Sequence, residues 1–156
     1  MKSCFFLGHR EAPQKIAEYL EDAVERHITE YKVREFIVGG YGAFDAIAAG
    51  RLVKMKSRYP EIRLLYLTPY HPAERKPAFP EGFEACYYPE GMEKVPKPYA
   101  IARANRHTIG RCSHLIAFVW HPGSNARELY EYARSREKRG LIRIENLAAK
   151  LGHPDI

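Results

Sequence analysis

The segment FIVGGYGAFD at residues 36–45 passes from a short apolar run into a glycine-rich loop and then into the start of a helix. Three other segments have the same character: CFFLGHR (4–10), LLYLTPYH (64–71) and IAFVWHPGSNAREL (116–129). Short continuous apolar runs bounded by turn residues are typical of buried parallel strands. The sequence therefore predicts an α/β fold in which the small-residue loops gather at the carboxyl edge of one sheet, the edge where such sheets bind ligands.

Apolar residues at helical spacing alternate with these runs. Three of the four segments contain most of the predicted strands Glu35–Val38, Arg63–Thr68 and Leu115–Trp120. Two further strands are predicted at Glu84–Tyr88 and Leu141–Ile144. The first helix is predicted to begin at Pro13, the second at about Phe44 and the third after Pro98. The fourth is predicted to run from near Asn125 to Gly140, which terminates it. This order predicts right-handed crossovers and a Rossmann-like three-layer αβα domain with a mainly parallel sheet, formed as a single domain by residues 1–156.

Between Pro69 and Pro98 the chain holds seven of its eleven prolines and several Tyr and Phe residues. A long helix does not fit this composition. Two interpretations stay open: the segment is a lid over the carboxyl ends of the strands, or it is ordinary surface coil.

The composition limits the partners. No apolar run is long enough to cross a bilayer, and the start MKSCFFLGHR lacks the features of a secretory signal, so a cytoplasmic protein without a membrane partner is expected. Three cysteines without a CxxC pair argue against a disulfide framework or a cysteine zinc site, and Cys4 and Cys86 are expected to be buried in strands. The net charge of +6 favours anionic partners such as phosphates, nucleotides or nucleic acid.

The GGYGAFD loop is the first candidate site. Gly39, Gly40 and Gly42 allow close approach of a ligand to the backbone, and the helix that follows would direct free N–H groups at an anion. Asp45 lies in the first turn of that helix, where a carboxylate is favoured even without a ligand. A tight strand-to-helix turn with no ligand explains the same residues.

The HPGSNAREL segment repeats this arrangement after the fifth strand. Gly123 and Ser124 free the backbone, and Asn125 is expected to cap the helix. Glu128 stands three residues later, a spacing that suits a reciprocal capping contact. The functional alternative for Glu128 is a carboxylate that faces a ribose.

The helix after Pro98 adds two candidates. Ile101, Ile109 and Cys112 define its inward stripe, and Asn105 falls on that stripe, where a buried amide needs a partner. Arg103 lies about one turn from the start of the helix and suits a phosphate, although a surface arginine is the alternative.

Histidines follow three of the strands: His9, His71 and His121. Three histidines can form an open zinc site. Neither a carboxylate partner nor an HxH spacing accompanies them, so no metal is predicted. His9 and Arg10 are instead expected to donate hydrogen bonds to a phosphate or hydroxyl group.

The chain resembles the YpsA-like family, a bacterial branch of the SLOG superfamily of Rossmann-like domains. The resemblance covers nearly the whole chain in the same order: SCFFLGHR (3–10), GGYGAFDAIAA (39–49), IRLLYLTPY (62–70), PYAIARANRHTIGRCSHLIAFV (98–119) and GSNARELYEYA (123–133). The superfamily includes the DNA-processing protein A domain and the "Lonely guy" phosphoribohydrolases, which release a base from a nucleoside monophosphate.

This resemblance implies a nucleotide or nucleotide-derived ligand, with no separate cofactor. Its binding residues would match the family motifs at Gly8, His9, Arg10, Gly39, Gly40, Gly42, Asp45, Arg103, Asn105, Gly123, Ser124 and Asn125. One motif departs from the pattern. The phosphoribohydrolases have PGGxGTxxE with a catalytic final Glu, whereas this chain has PGSNAREL at 122–129, where Leu129 or Glu128 takes that position depending on the register. The candidate carboxylates near it are Glu128, Glu131 and Asp45.

Three functions follow from these observations. The first is binding or sensing of a nucleotide-like ligand. The alternative is hydrolysis of a nucleotide N-glycosidic bond, with Glu128 as the carboxylate and Arg103 on the phosphate. Binding of single-stranded nucleic acid ranks third, because most of the eleven tyrosines fall at expected core or strand positions, away from a stacking surface. Self-association stays open.

Overall fold

Six strands build the sheet: β1 (Lys2–Gly8), β2 (Val33–Val38), β3 (Arg63–Leu67), β4 (Ala85–Tyr87), β5 (His114–Phe118) and β6 (Arg143–Asn146). In the computed structural model, which describes residues 1–76 and 78–154, they lie in the order β4-β3-β2-β1-β5-β6. Each neighbouring pair is parallel. The predicted α/β class is therefore confirmed, with a sheet that is parallel throughout the described residues.

Within the described residues, four α-helices cover the two faces of this sheet: α1 (Ile16–Thr29), α2 (Ala43–Arg58), α3 (Ala100–Arg111) and α4 (Asn125–Lys138). Alternate residues of β1 divide between the two faces. Phe6 packs in the core that α1 and α2 share, whereas Phe5 packs in the core beneath α3 and α4. Both rings are almost fully buried. This division gives the predicted three-layer αβα arrangement.

The strand order reverses beside β1. From β1 the chain builds β2, β3 and β4 on one side and then returns to place β5 on the other. The loops that follow β1 and β5 therefore meet at the carboxyl edge, where the His9 N–H donates to the Phe118 carbonyl at 3.3 Å. Such a switch point is the position where open α/β sheets form a crevice for ligands.

Two predicted boundaries are wrong for reasons of local capping. Pro13 is not the first residue of α1, because its carbonyl accepts from the Ile16 N–H at 3.0 Å in a turn that precedes the helix. The last strand begins at Arg143 instead of Leu141. Leu141 N–H donates to the Arg136 carbonyl around Gly140, whose φ is +73°, so Leu141 belongs to the end of α4.

One expectation about burial is also wrong. Cys86 is only half-buried, since β4 is an edge strand, whereas Cys4 is fully buried on the central β1. The expectation that most of the eleven tyrosines lie at core or strand positions is confirmed. Tyr130 is buried, and seven half-buried tyrosines pack against the two cores, namely Tyr31, Tyr59, Tyr66, Tyr70, Tyr87, Tyr88 and Tyr132. Among the described residues, no helix combines the length and the apolar character that crossing a bilayer requires.

Two histidines lie buried next to each other at the edge of the sheet opposite the carboxyl edge. His27 of α1 and His114 of β5 have ring centroids 5.3 Å apart, and His27 Nδ1 donates to the Ala23 carbonyl at 2.7 Å. Burial lowers the pKa of each ring from 6.5 to about 4. Both rings are therefore neutral in the folded protein at neutral pH.

This pair predicts acid sensitivity. Between about pH 6.5 and pH 4 the unfolded chain protonates His27 and His114 while the folded protein does not, so the pair stabilises the fold less as the pH falls. Asp45 acts in the opposite direction, because burial raises its pKa to about 6. We expect His27→Gln to reduce the loss of unfolding free energy between about pH 7 and pH 4.5 by about 2 to 3 kcal/mol. Urea titrations at both pH values measure it.

The matched control is His107→Gln, which removes an exposed histidine from α3. Its pH dependence of stability should follow that of the unmodified protein. Equal pH dependence in the His27→Gln variant and the unmodified protein would contradict the assignment of acid sensitivity to the buried pair.

Candidate functional site

A cavity of about 470 Å³ opens at the carboxyl ends of β2 and β3. The loop after β2, the first half of α2, the end of β3 and the segment at 80–81 form its walls. Its lining residues are Gly39, Gly40, Gly42, Asp45, Ala46, Ala49, Gly50, Val53, Tyr66, Pro80 and Glu81. The GGYGAFD loop therefore lines a concave site, on the α1–α2 side of the sheet.

Two glycines of this loop, Gly40 and Gly42, lie in close contact with other parts of the protein. Gly42 has a φ of +144°, and a Cβ atom there would lie 2.7 Å from the Arg10 Cα. The Ala43 N–H, which begins α2, donates to the Arg10 carbonyl at 2.7 Å. A Cβ on Gly40 would lie 1.9 Å from the Tyr66 hydroxyl oxygen. The tight turn is thus real, and it also leaves the backbone bare along one wall of the cavity.

Asp45 supplies the titratable group inside the cavity wall. Its Oδ2 accepts from the Tyr41 N–H at 3.1 Å, and burial raises the pKa of this carboxyl to about 6. The pKa of the Tyr66 phenol is also raised, first by burial and then by the neighbouring Asp45. At neutral pH the site presents a largely ionised carboxylate next to a neutral phenol. It can accept hydrogen bonds from hydroxyl or amino groups.

One face of α2 creates the space for this cavity. Ala46, Ala49, Gly50 and Val53 recur at the spacing of one helical face, and all of them are small. This face was not predicted from the sequence, although small residues at i, i+3, i+4 and i+7 indicate a helix face without bulky side chains. Tyr66, which points toward α2 from β3, on the face of Leu64, was not predicted either.

The opposite wall comes from the proline-rich segment between Pro69 and Pro98, which we call the proline-rich excursion. Pro80 and Glu81 line the cavity directly. Tyr70 and Arg75 lie further along the same edge, with the Arg75 guanidinium carbon 4.4 Å from the centre of the Tyr70 ring. Burial and the neighbouring Tyr70 raise the pKa of Tyr41, and Arg75 opposes this effect. Part of the excursion therefore borders the predicted edge.

At the switch point, one ring nitrogen of His9 is engaged by backbone groups. Its Nε2 accepts from the backbone N–H groups of Trp120 at 2.9 Å and His121 at 3.1 Å. Burial lowers the pKa of His9, and the neighbouring His121 and His153 lower it further. The ring is therefore neutral with its proton on Nδ1, and Nε2 cannot donate to a ligand. His9 fixes the loop after β5 to the loop after β1.

Gly8 is also explained by packing. A Cβ on Gly8 would lie 2.3 Å from the ring of Phe44, which is fully buried at the start of α2. Arg10, two residues further, is exposed and contacts Gly42 through its backbone. The first-strand motif thus positions α2, and only the Arg10 side chain projects into solvent.

The start of α4 differs from the prediction. Ser124, not Asn125, is the capping residue, because its Oγ accepts from the Arg127 N–H at 3.1 Å. The spacing to Glu128 therefore no longer fits a capping box. Gly123 N–H donates to His121 Nδ1 at 3.1 Å. Gly123, Asn125 and Glu128 are exposed, and none of them lines the cavity.

The two candidates on α3 also lie outside the cavity lining. Arg103 is exposed and Asn105 is half-buried. The buried stripe of this helix is formed by Ala100, Ala104, Thr108 and Ile109, while Ile101 is only half-buried. Asn105 was expected on the buried stripe, but it is only half-buried, because Ala104 takes the buried position one residue earlier.

The three strand-end histidines are not gathered together. His71 packs its ring against Tyr88 and accepts from the Ala73 N–H through Nδ1 at 3.0 Å. His9 and His121 lie at the switch point with ring centroids 6.5 Å apart. Within residues 1–76 and 78–154, no group of three or more His, Cys, Asp or Glu side chains is arranged to hold a metal ion.

Comparison with known proteins does not assign this chain to a family. No protein-family model matches the chain, and a search of curated proteins found no match. The resemblance to the YpsA-like family therefore stays a hypothesis that rests on the motifs quoted above.

The contact between Gly8 and Phe44 makes a testable prediction about stability. Gly8→Ala should destabilise the fold by about 1 to 3 kcal/mol, because the added methyl group overlaps a ring in a packed core. Gly50→Ala is the matched control. A Cβ on Gly50 meets no atom within 4 Å, so this helical substitution should stabilise the fold by about 0.5 to 1 kcal/mol. Chemical unfolding of both variants measures the difference, and an unchanged Gly8→Ala variant would contradict the packing.

Proposed function

We propose that this protein binds a nucleotide or nucleotide-derived ligand at the carboxyl edge of its parallel sheet. The observation that carries the proposal is the cavity in which Asp45, Tyr66 and the bare backbone of the glycine loop face one another. A shaped cavity with a few convergent polar groups and a perturbed carboxyl is the usual form of a small-molecule site.

The chemistry of the lining suggests how such a ligand is oriented. Asp45 and Glu81 are acidic, and no cation stands among the described lining residues. We therefore place the ribose or base in the cavity, where hydroxyl or amino groups can donate to Asp45. The phosphate would lie outside it, toward Arg10, whose backbone adjoins Gly42. An exposed guanidinium is well suited to bind a phosphate.

The direct test is binding of a panel of nucleosides, nucleotides and dinucleotides to the Asp45→Asn variant. The amide keeps the shape of the side chain and can still accept from the Tyr41 N–H, but it removes the negative charge. Loss of one charge-assisted hydrogen bond should weaken binding by roughly 10- to 100-fold. Calorimetry or thermal-shift titration measures the change.

Glu128→Gln is the matched control. It removes a carboxylate from the first turn of α4, outside the cavity lining. Binding to this variant should equal binding to the unmodified protein. A loss of binding in Glu128→Gln together with normal binding in Asp45→Asn would move the site to α4. The absence of any thermal shift across the panel would contradict the proposed function itself.

Hydrolysis of a nucleotide N-glycosidic bond is the second candidate function. The observation in its favour is the carboxyl of Asp45, whose pKa of about 6 suits a group that exchanges protons near neutral pH. A carboxylate must stand next to the cationic sugar that forms as such a bond breaks. We accordingly assign this role to Asp45 in preference to the exposed Glu128. Release of free base from nucleoside monophosphates should then disappear in Asp45→Asn and persist in Glu128→Gln.

A further inference from the structure

The positive charge of this protein is concentrated in one part of the chain. Residues 90–143 contain eleven Lys and Arg residues against five Asp and Glu residues, a surplus of six that equals the formal net charge of +6. The remaining residues are balanced. Because residues 90–143 contain α3 and α4, the surplus lies mainly in the helical layer on the opposite side of the sheet from the cavity.

On the α1–α2 side the charges neutralise one another. Glu21 of α1 pairs with three cations of α2, namely Arg51 at 3.3 Å, Lys54 at 3.4 Å and Arg58 at 3.3 Å. The many basic residues of α2 therefore do not form an unpaired positive surface. This layer provides an internal comparison for α3 and α4.

The α3–α4 layer is different. The twelve residues of α3 include three arginines and no acid. Arg103 and Arg106 are exposed, one turn apart on the helix, and Arg106 stacks on Tyr132 of α4 with its guanidinium carbon 3.8 Å from the ring centre. Arg136 lies one turn beyond Tyr132 and donates to the Gly110 carbonyl at 3.0 Å. These residues lie on the surface where α3 and α4 pack together, which we call the α3–α4 groove.

The nearby acids do not neutralise this groove. Glu131 pairs with Arg127 at 2.7 Å, and Glu137 lies 3.5 Å from Arg134. Arg111, the last residue of α3, forms an ion pair with the buried Glu35 at 2.9 Å. Glu128 is the one exposed acid of α4 that has no ion pair among the described residues. In residues 1–76 and 78–154, no carboxylate is within ion-pair distance of Arg103 or Arg106.

Aromatic rings accompany these arginines. Tyr99 immediately precedes α3, one turn before Arg103, and 64% of its surface is exposed. Tyr132 lies across the groove under Arg106. Exposed aromatic rings beside arginines are the combination with which proteins bind single strands, because rings stack on bases while guanidinium groups contact phosphates.

We propose that the α3–α4 groove binds single-stranded nucleic acid, with Arg103 and Arg106 on successive phosphates and Tyr99 stacked on a base. The proposal does not depend on the cavity, which lies on the other side of the sheet. The twelve residues of α3 form a helix about 18 Å long, enough to lie along a few nucleotides.

The test is fluorescence anisotropy with an oligothymidylate of about 20 nucleotides over a range of salt concentrations. The double variant Arg103→Ala/Arg106→Ala should bind at least about fivefold more weakly. The slope of log K against log salt should fall in magnitude by about 1.4, from 0.7 for each lost phosphate contact. Tyr99→Ala should weaken binding by about fivefold and leave the salt slope unchanged.

The matched control is Lys15→Ala/Lys150→Ala, which removes the same amount of charge from exposed positions outside the groove. It should retain binding within about twofold, as a nonspecific charge effect is weaker than loss of a contact. Thermal unfolding confirms that each variant is folded. Equal losses in the two double variants, full binding by Tyr99→Ala, or no binding at low salt would each overturn the proposal. Equal competition by polyglutamate per charge would also overturn it, in favour of an acidic polypeptide.

Discussion

The backbone of the loop after β2 lies directly on the backbone of the loop after β1, and the rest of the carboxyl edge depends on this contact. It requires glycine at Gly42, since a side chain there would overlap the Arg10 backbone. It also fixes the first N–H of α2 to the Arg10 carbonyl, while Gly8 accommodates the Phe44 ring. Three parts of the chain are thereby held in one arrangement, and the cavity is formed beside them.

The sheet separates two surfaces with different chemistry. On the α1–α2 side, small residues of α2 leave a cavity whose polar side chains are two carboxyls and a phenol, and the cations of α2 are ion-paired. On the α3–α4 side, a groove carries unpaired arginines next to aromatic rings. A ligand with hydroxyl or amino groups fits the first surface, and a chain of phosphates fits the second. Under the two proposals made above, the protein would bind a small nucleotide ligand on one side of its sheet and nucleic acid on the other.

The central strands of this fold were predictable because they are buried on both faces of the sheet. Each of them therefore appears in the sequence as a short continuous apolar run. The boundaries failed where capping decides them: Leu141 completes the end of α4, and Ser124 replaces Asn125 at the start of the same helix. The glycine loop and Asp45 were predictable from the strand-to-helix pattern. Glu81 was not, because only the tertiary path of the proline-rich excursion places it against α2. The role of His9 likewise depends on backbone groups 111 residues away.

Mass spectrometry of the small molecules released on denaturing gently purified protein tests the central claim most directly. The account predicts a nucleotide or nucleotide derivative in the unmodified protein and in Glu128→Gln, and its loss from a Gly40→Val variant, whose side chain would enter the space next to Tyr66. The same compound retained at full occupancy in folded Gly40→Val protein would contradict a ligand site at the glycine loop.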